Sequence, residues 1–327
     1  MKIGWIEIPK GDALKTGGGN AWRIYLYSLL SKKFDIEPMG LILEDGNKIF
    51  QGGRLFYNLL KLKGNKDLWI REFSSTITLP FDKTTGKNLL IVHHIDSNYL
   101  AYPTLCKFLD KLFYRNLNEI NTVVTVSKFW KEHFESRGCD DVRLIYNFFD
   151  ITEFEFTEEE IVKFKETYGL TKRPIVYLGN CQKAKGVVEA YQALKGLDAD
   201  LVTSGEKRVD IPATNLNLSY RDYLRLLKAA SVVVTMSKFK EGWCRTAHEA
   251  MLCKTPVVGS GNGGMAELLE GGGQIVCKDF SELREKVEYA MEHPELGENG
   301  YEYASQEKFT LPHFEKEWVK LIEEMGG

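Results

Sequence analysis

Ser231-Val-Val-Val-Thr-Met236 is a β-branched apolar run, and a polar loop follows it, Ser237-Lys-Phe-Lys-Glu241-Gly242-Trp243-Cys244. Arg245-Thr246-Ala-His248-Glu249-Ala-Met-Leu then reads as a helix, and Pro256-Val-Val-Gly259 is a second apolar run. Strand, loop, helix and strand in this order make a crossover unit whose strands run parallel. The amides at a helix start lack intrahelical partners and attract anions. Glu241, in the loop, and Glu249, a turn into the helix, flank that position. Carboxylates repel an anion, so the pair needs another reason, and holding sugar and ribose hydroxyls supplies one. The plainer alternative is a solvated Glu241 and a Glu249 paired with Arg245, four residues earlier.

The alternation extends in both directions. Upstream, Lys2–Ile8 reads as a strand, a glycine loop follows, and Ala21–Lys33 reads as a helix. Strands at Asn88–His93, Thr122–Val126 and Val142–Tyr146 alternate with helices at Thr104–Asn118 and Lys128–Ser136, the latter with Ser127 as its cap. The pattern restarts with a helix at Glu158–Tyr168, a strand at Pro174–Gly179, a helix at Gly186–Leu194 and a strand at Ala199–Ser204. After the helix Tyr220–Ala230 come the quoted unit, a strand at Gln274–Cys277, and helices at Ser281–His293 and Leu311–Met325. This is an α/β chain of two Rossmann-like, doubly wound domains. The first is expected over residues 1–152 and the second over 153–310. Ligands of such sheets bind at the carboxyl ends of the strands, here in a cleft between the domains.

Composition agrees. The 327 residues are 43% hydrophobic and 27% charged, with a net charge of −3, which excludes a strongly basic nucleic-acid binder. Residues 1–150 carry 21 basic and 17 acidic side chains and residues 151–327 carry 22 and 29, so the front half is the more basic. The 6 cysteines follow no metal spacing and read as reduced thiols, which with the lack of a leader-like segment predicts a cytoplasmic protein. No run reaches the ~18 apolar residues of a membrane span.

The stretch beginning at Glu241 resembles the Glu-x7-Glu signature of the retaining glycosyltransferases of family 4, which have the GT-B fold. The match runs through Glu241, Gly242, Glu249, Ala250, Met251, Thr255, Pro256, Val257, Val258, Gly263, Gly264 and Glu267, with Trp243 where Phe is usual. The resemblance implies that Glu241 contacts the donor sugar and Glu249 the ribose. The backbone of Gly242, Trp243, Cys244, Arg245 and Thr246 is then expected near the diphosphate. Gly179-Asn180-Cys-Gln-Lys183-Ala-Lys185-Gly186 resembles the family's Gly-Arg-x4-Lys-Gly loop. There Lys185 holds the diphosphate and Asn180 replaces the Arg, with Lys183 or Arg245 as candidates for the missing charge. Lys15-Thr16-Gly17-Gly18-Gly19-Asn20 resembles the family's glycine loop near the diphosphate and acceptor. His93 and His94 end a strand where the family often carries a sugar-facing His, and His94 is the favoured one. Val126-Ser127 and Tyr146-Asn147 through Asp150 resemble two further elements that read as structural. The last helix is expected to cross back to the first domain.

The implied activity is transfer of a sugar from a UDP-, GDP- or ADP-sugar to a glycan, lipid-linked or small-molecule hydroxyl. Retention of configuration is implied, with no obligatory metal and no nucleic-acid partner. The competing reading is a degenerate module that binds a nucleotide sugar or scaffolds a partner without catalysis, and Asn180 favours it. Gly259-Ser-Gly261-Asn-Gly263-Gly264 also fits a dinucleotide fingerprint. The helix that follows it is too short, broken by Gly271-Gly272-Gly273. Thr104–Asn118 spaces Lys107, Lys111 and Arg115 four apart, and Arg54–Lys63 is likewise basic and apolar. Either segment reads as a solvated face over a core or as a contact for an anionic lipid surface at the inner membrane face.

Overall fold

Six parallel strands form the first sheet, in the order β2-β1-β3-β4-β5-β6. These are β1 Lys2–Ile6, β2 Asp35–Met39, β3 Lys63–Arg71, β4 Lys83–Ile91, β5 Thr122–Thr125 and β6 Val142–Leu144. The computed structural model describes residues 1–6, 18–39, 48–95 and 103–326. The connecting helices are α1 Gly18–Leu30, α2 Lys48–Leu60, α3 Phe73–Thr78, α4 Pro103–Arg115 and α5 Lys128–Glu135. The chain divides into two units, one of Met1–Tyr146 with Pro312–Gly327 and one of Asn147–Leu311. The first division falls ahead of the expected 152/153, because Phe149 and Phe154 already pack with the second unit's side chains. The C-terminal helix, Leu311–Gly326, is grouped with the first unit from Pro312 onward and sets Phe314 and Trp318 edge-on to Trp22 of α1.

The second unit holds α6 Glu158–Thr167, β7 Ile175–Asn180, α7 Val187–Leu194, β8 Asp200–Ser204, β9 Thr214–Leu216 and α8 Tyr220–Ala229. It continues with β10 Val232–Thr235, α9 Arg245–Leu252, β11 Val257–Gly259, α10 Met265–Gly271, β12 Ile275–Val276, α11 Leu283–Glu292 and α12 Glu295–Ala304. Its sheet is also parallel, in the order β12-β11-β10-β7-β8-β9. Buried on both faces, β7 and β10 read as unbroken apolar runs, which is why they were legible from sequence. The strand order reverses between β7 and β10. A ligand site in an open α/β sheet belongs at that crevice, beyond the carboxyl ends of the strands.

Several elements differ from the sequence-based expectation. α1 opens at Gly18, so Gly18 and Gly19 stand in its first turn and not in the loop before Ala21. First-turn amides need no intrahelical partner, so glycine costs little there. Lys15, Thr16 and Gly17 lie outside the described residues. β3 was not expected, because its first five residues are polar and mostly exposed, and only Leu68–Arg71 is buried. Ser127 occupies the position before α5 but makes no capping hydrogen bond. Asp150 does cap, accepting from the Thr152 amide at 3.1 Å.

Candidate active site

At the switch point, the loop after β7 carries Lys185 and the loop after β10 carries Glu241. Their side chains meet, Lys185 Nζ donating to Glu241 Oε1 at 2.6 Å. Ser237 Oγ donates to the same oxygen, also at 2.6 Å. Glu241 is 6% exposed, so it is not the solvated carboxylate of the plainer reading. Burial alone would lower the pKa of the Lys185 ammonium, but the adjoining Glu241 carboxylate holds it above the ordinary lysine value.

The backbone of Glu241 is pinned by the glycine-rich segment that mimics a dinucleotide fingerprint. The Glu241 amide donates to Asn262 O at 3.1 Å, and the Gly264 amide donates to Glu241 O at 2.9 Å. Between them Gly263 has φ +68°, and a Cβ there would stand 2.4 Å from Glu241 O. Asn262 Nδ2 and Ser260 Oγ both donate to Ser237 O, at 2.7 and 3.0 Å. These residues therefore fix both Glu241 and its hydrogen-bonding partner Ser237. The rejection of a dinucleotide loop agrees with the seven-residue α10 that follows.

Glu249 lies one turn inside α9 and is 4% exposed. Arg245 Nη2 donates to Glu249 Oε1 at 3.2 Å, the i,i+4 pair of the plainer reading. Tyr223 Oη of α8 donates to the other oxygen at 2.9 Å, a partner the sequence did not suggest. Burial raises the Tyr223 phenol well above its ordinary range, and Glu249 adds to this, so the hydroxyl stays a donor.

A small recess opens at this edge, lined by Gly179, Asn180, Lys185, Ser237, Cys244 and Thr246 among others. Asn180 is exposed, and its Oδ1 accepts from Ser204 Oγ at 3.2 Å. Lys183 is exposed, and Arg245 is held by Glu249 and lies over the Phe149 ring at 4.7 Å. Burial pushes the Cys244 thiol up to about 12, so it is protonated and unreactive at neutral pH.

Trp243, expected near the diphosphate through its backbone, gives its side chain to the core. Its side chain is 5% exposed and turned into the unit, Nε1 donating to His248 Nδ1 at 3.1 Å. That bond makes Nδ1 the acceptor, so Nε2 carries the proton and donates to Ala304 O at 3.0 Å. Only the Trp243 backbone remains available to a ligand. His248 stacks on Phe149 with ring centroids 4.0 Å apart, and burial lowers its pKa to about 3.

The first-unit candidates are Gly18, Gly19, His93 and His94. His93 is half-buried, its ring edge-on to Trp22 with centroids 4.6 Å apart, whereas His94 is exposed. Trp22 lies in the α1 helix that Gly18 and Gly19 open. The chain has an Asp-x-Asp, Asp198-Ala199-Asp200. It stands at the amino end of β8, away from the recess, and Asp200 is paired with Arg173, so it is not placed to hold a metal-bound diphosphate.

Residues 158–307 match the family model described as glycosyl transferases group 1. That match lies within the second unit, and the chain has the GT-B fold of two parallel-sheet α/β domains. N-acetyl-alpha-D-glucosaminyl L-malate synthase of Bacillus anthracis is 25% identical over 47% of this chain and 45% of its own, so the match spans less than half of that relative. Among solved structures, sucrose-phosphate synthase from Thermosynechococcus elongatus superposes with a TM-score of 0.74 at 18% identity, over 99% of this chain and 98% of that one. HepE from Anabaena, solved with UDP-glucose, gives a TM-score of 0.72 at 17% identity, over 99% and 100%.

Proposed function

We propose that this protein transfers a sugar from a nucleoside diphosphate sugar to an acceptor hydroxyl with retention of configuration. The observation that carries the reading is the Lys185–Glu241 pair at the switch point, with Glu249 one turn into the adjoining helix. In this reading the diphosphate binds Lys185 and the amides that open α9, and the developing negative charge on the leaving group is stabilised there. Glu241 accepts from hydroxyls of the transferred sugar. Glu249 accepts from the ribose, its carboxylate already oriented by Tyr223 and Arg245. Lys185 is released from Glu241 to the diphosphate as the donor enters, and Ser237 keeps the carboxylate in place.

By the family resemblance, His94 or His93 faces the sugar, and Gly18 and Gly19 approach the diphosphate. The proposed acceptors are glycan, lipid-linked or small-molecule hydroxyls. UDP is the leading nucleotide because a structural neighbour was solved with UDP-glucose. The test is a thermal-shift panel of UDP-, GDP- and ADP-sugars followed by nucleotide release with and without acceptor. Stabilisation by one nucleotide and acceptor-dependent release support the proposal, and no stabilisation by any of them refutes it. Asn180, which leaves the rim of the recess without the family's arginine, favours a binding module as the second reading. Binding without turnover on any acceptor would select it.

A further inference from the structure

We propose that the outer face of α2 and α4 docks this chain on an anionic lipid bilayer. The two helices cover one face of the first sheet. Phe56 of α2 and Leu109 and Leu112 of α4 turn inward to the same core cluster, around Phe113 and Trp130. Their apolar faces are therefore already used, and the outward faces would be expected to be polar. They are not. Leu105 and Phe108 of α4 are 54% and 57% exposed, and Tyr57 and Leu60 of α2 are 56% and 45% exposed. An exposed apolar residue on its own needs no explanation, but four on two helices packed against the same core cluster form a pattern.

Charge selects the occupant. Lys107, Lys111 and Arg115 are exposed beside Leu105 and Phe108, and Arg54 and Lys61 are exposed beside Tyr57 and Leu60. α2 contains no carboxylate, and Asp110, half-buried, is the one acid of α4. Aromatic and aliphatic tips set among cations, with almost no anions, match a negatively charged headgroup layer over hydrocarbon. No helix among the described residues is long and apolar enough to cross a membrane, so the contact would be peripheral. This inference stands whether or not the second unit transfers a sugar.

The experiment is co-sedimentation of the full chain with phosphatidylcholine vesicles with and without phosphatidylglycerol. Binding to the anionic vesicles alone, weakened by salt, is expected. Lys107→Glu with Lys111→Glu should weaken it by about tenfold or more, since each basic residue near such a surface adds severalfold to affinity. Leu105→Ser with Phe108→Ser should weaken it even at low salt, and Arg54→Glu tests α2 separately. All of these positions are exposed, and circular dichroism confirms folding. Equal binding to neutral vesicles, no binding to anionic ones, or variants that bind like the parent would each overturn the proposal, including the case in which the patch serves a protein partner.

Discussion

Lys185 and Glu241 are 56 positions apart in the chain, yet their charged atoms lie 2.6 Å apart where the second sheet reverses its strand order. Each side chain depends on the other. Without Lys185, Glu241 would be a buried carboxylate that had lost its cation. Without Glu241, Lys185 would keep water as its counterpart on its exposed side. On the proposed function, this internal partner is exchanged for a diphosphate.

Glu241→Gln keeps the shape and removes the charge. Transfer, measured as kcat/KM for the donor, should fall by about a hundredfold or more, in line with the loss of a transition-state contact. Stability should fall by only about 1–2 kcal/mol, because Lys185 retains 31% side-chain exposure and water takes part of its charge. Turnover like that of the parent would refute the role of Glu241.

Tyr223→Phe removes only the hydroxyl that holds Glu249. One neutral-to-charged hydrogen bond is worth about 1.5–3 kcal/mol. Affinity for the nucleotide should therefore fall roughly tenfold or more, with kcat nearly unchanged. Calorimetric titration with UDP and with its sugar checks this, and an effect on kcat alone would contradict a ribose-side role for Glu249.

Gly263→Ala tests the pinning of Glu241. Its φ of +68° strains any other residue, and the new Cβ would collide with Glu241 O. Gly138 supplies the control, with φ +83° and nothing within 4 Å of the place a Cβ would take. Gly138→Ala should cost about 1 kcal/mol from backbone strain alone, with activity intact, while Gly263→Ala costs more and impairs transfer. Denaturation midpoints and donor kinetics measured on both variants separate strain from displacement of Glu241.

His248 predicts a pH dependence. Its folded pKa of about 3 lies below the ordinary value near 6.5, so the unfolded chain binds the extra proton between those values. Stability is therefore full above pH 6.5 and declines as pH falls toward 3, by about 2 kcal/mol at pH 5 from this residue. Chemical denaturation at pH 7.5 and pH 5 should show a smaller difference for His248→Gln than for the parent. Equal differences would mean that His248 can be protonated in the folded protein.

The alternation of elements was legible because most strands carry a buried apolar run and the helices are periodic. β3 and α12 were not. β3 begins with polar residues that face water, and α12 contains Gly297 and Gly300, which read as breakers. The fold needs both glycines, because a Cβ at 297 would stand 2.1 Å from Lys254 O and one at 300 would stand 2.9 Å from Met251 Cγ. At the site, the motif residues were found by resemblance and the Arg245–Glu249 pair by spacing, but the other partners were not. Ser237 bonds the Glu241 carboxylate from within the same loop, whereas Tyr223 reaches the Glu249 carboxylate and Asn262 the Glu241 backbone through tertiary packing, which no local spacing encodes. At Trp243 the motif marks the backbone position, and the side chain serves the core.

Asn180 gives the sharpest test of the diphosphate assignment. It sits exposed on the rim of the recess that contains Lys185, with its side-chain oxygen held by Ser204. Asn180→Arg would lose that neutral hydrogen bond, a cost of about 1 kcal/mol. It would gain a guanidinium suited to bidentate phosphate binding. If the diphosphate lies against Lys185, UDP should bind several-fold more tightly than to the parent at low ionic strength. The gain should shrink as salt rises, because the new charge is exposed. Uridine, which has no phosphate, should bind both proteins equally. Titration of UDP and uridine at two salt concentrations distinguishes the cases. A gain for UDP alone fixes the diphosphate at this edge of the sheet, whereas equal effects on both ligands, or none on either, would move it elsewhere.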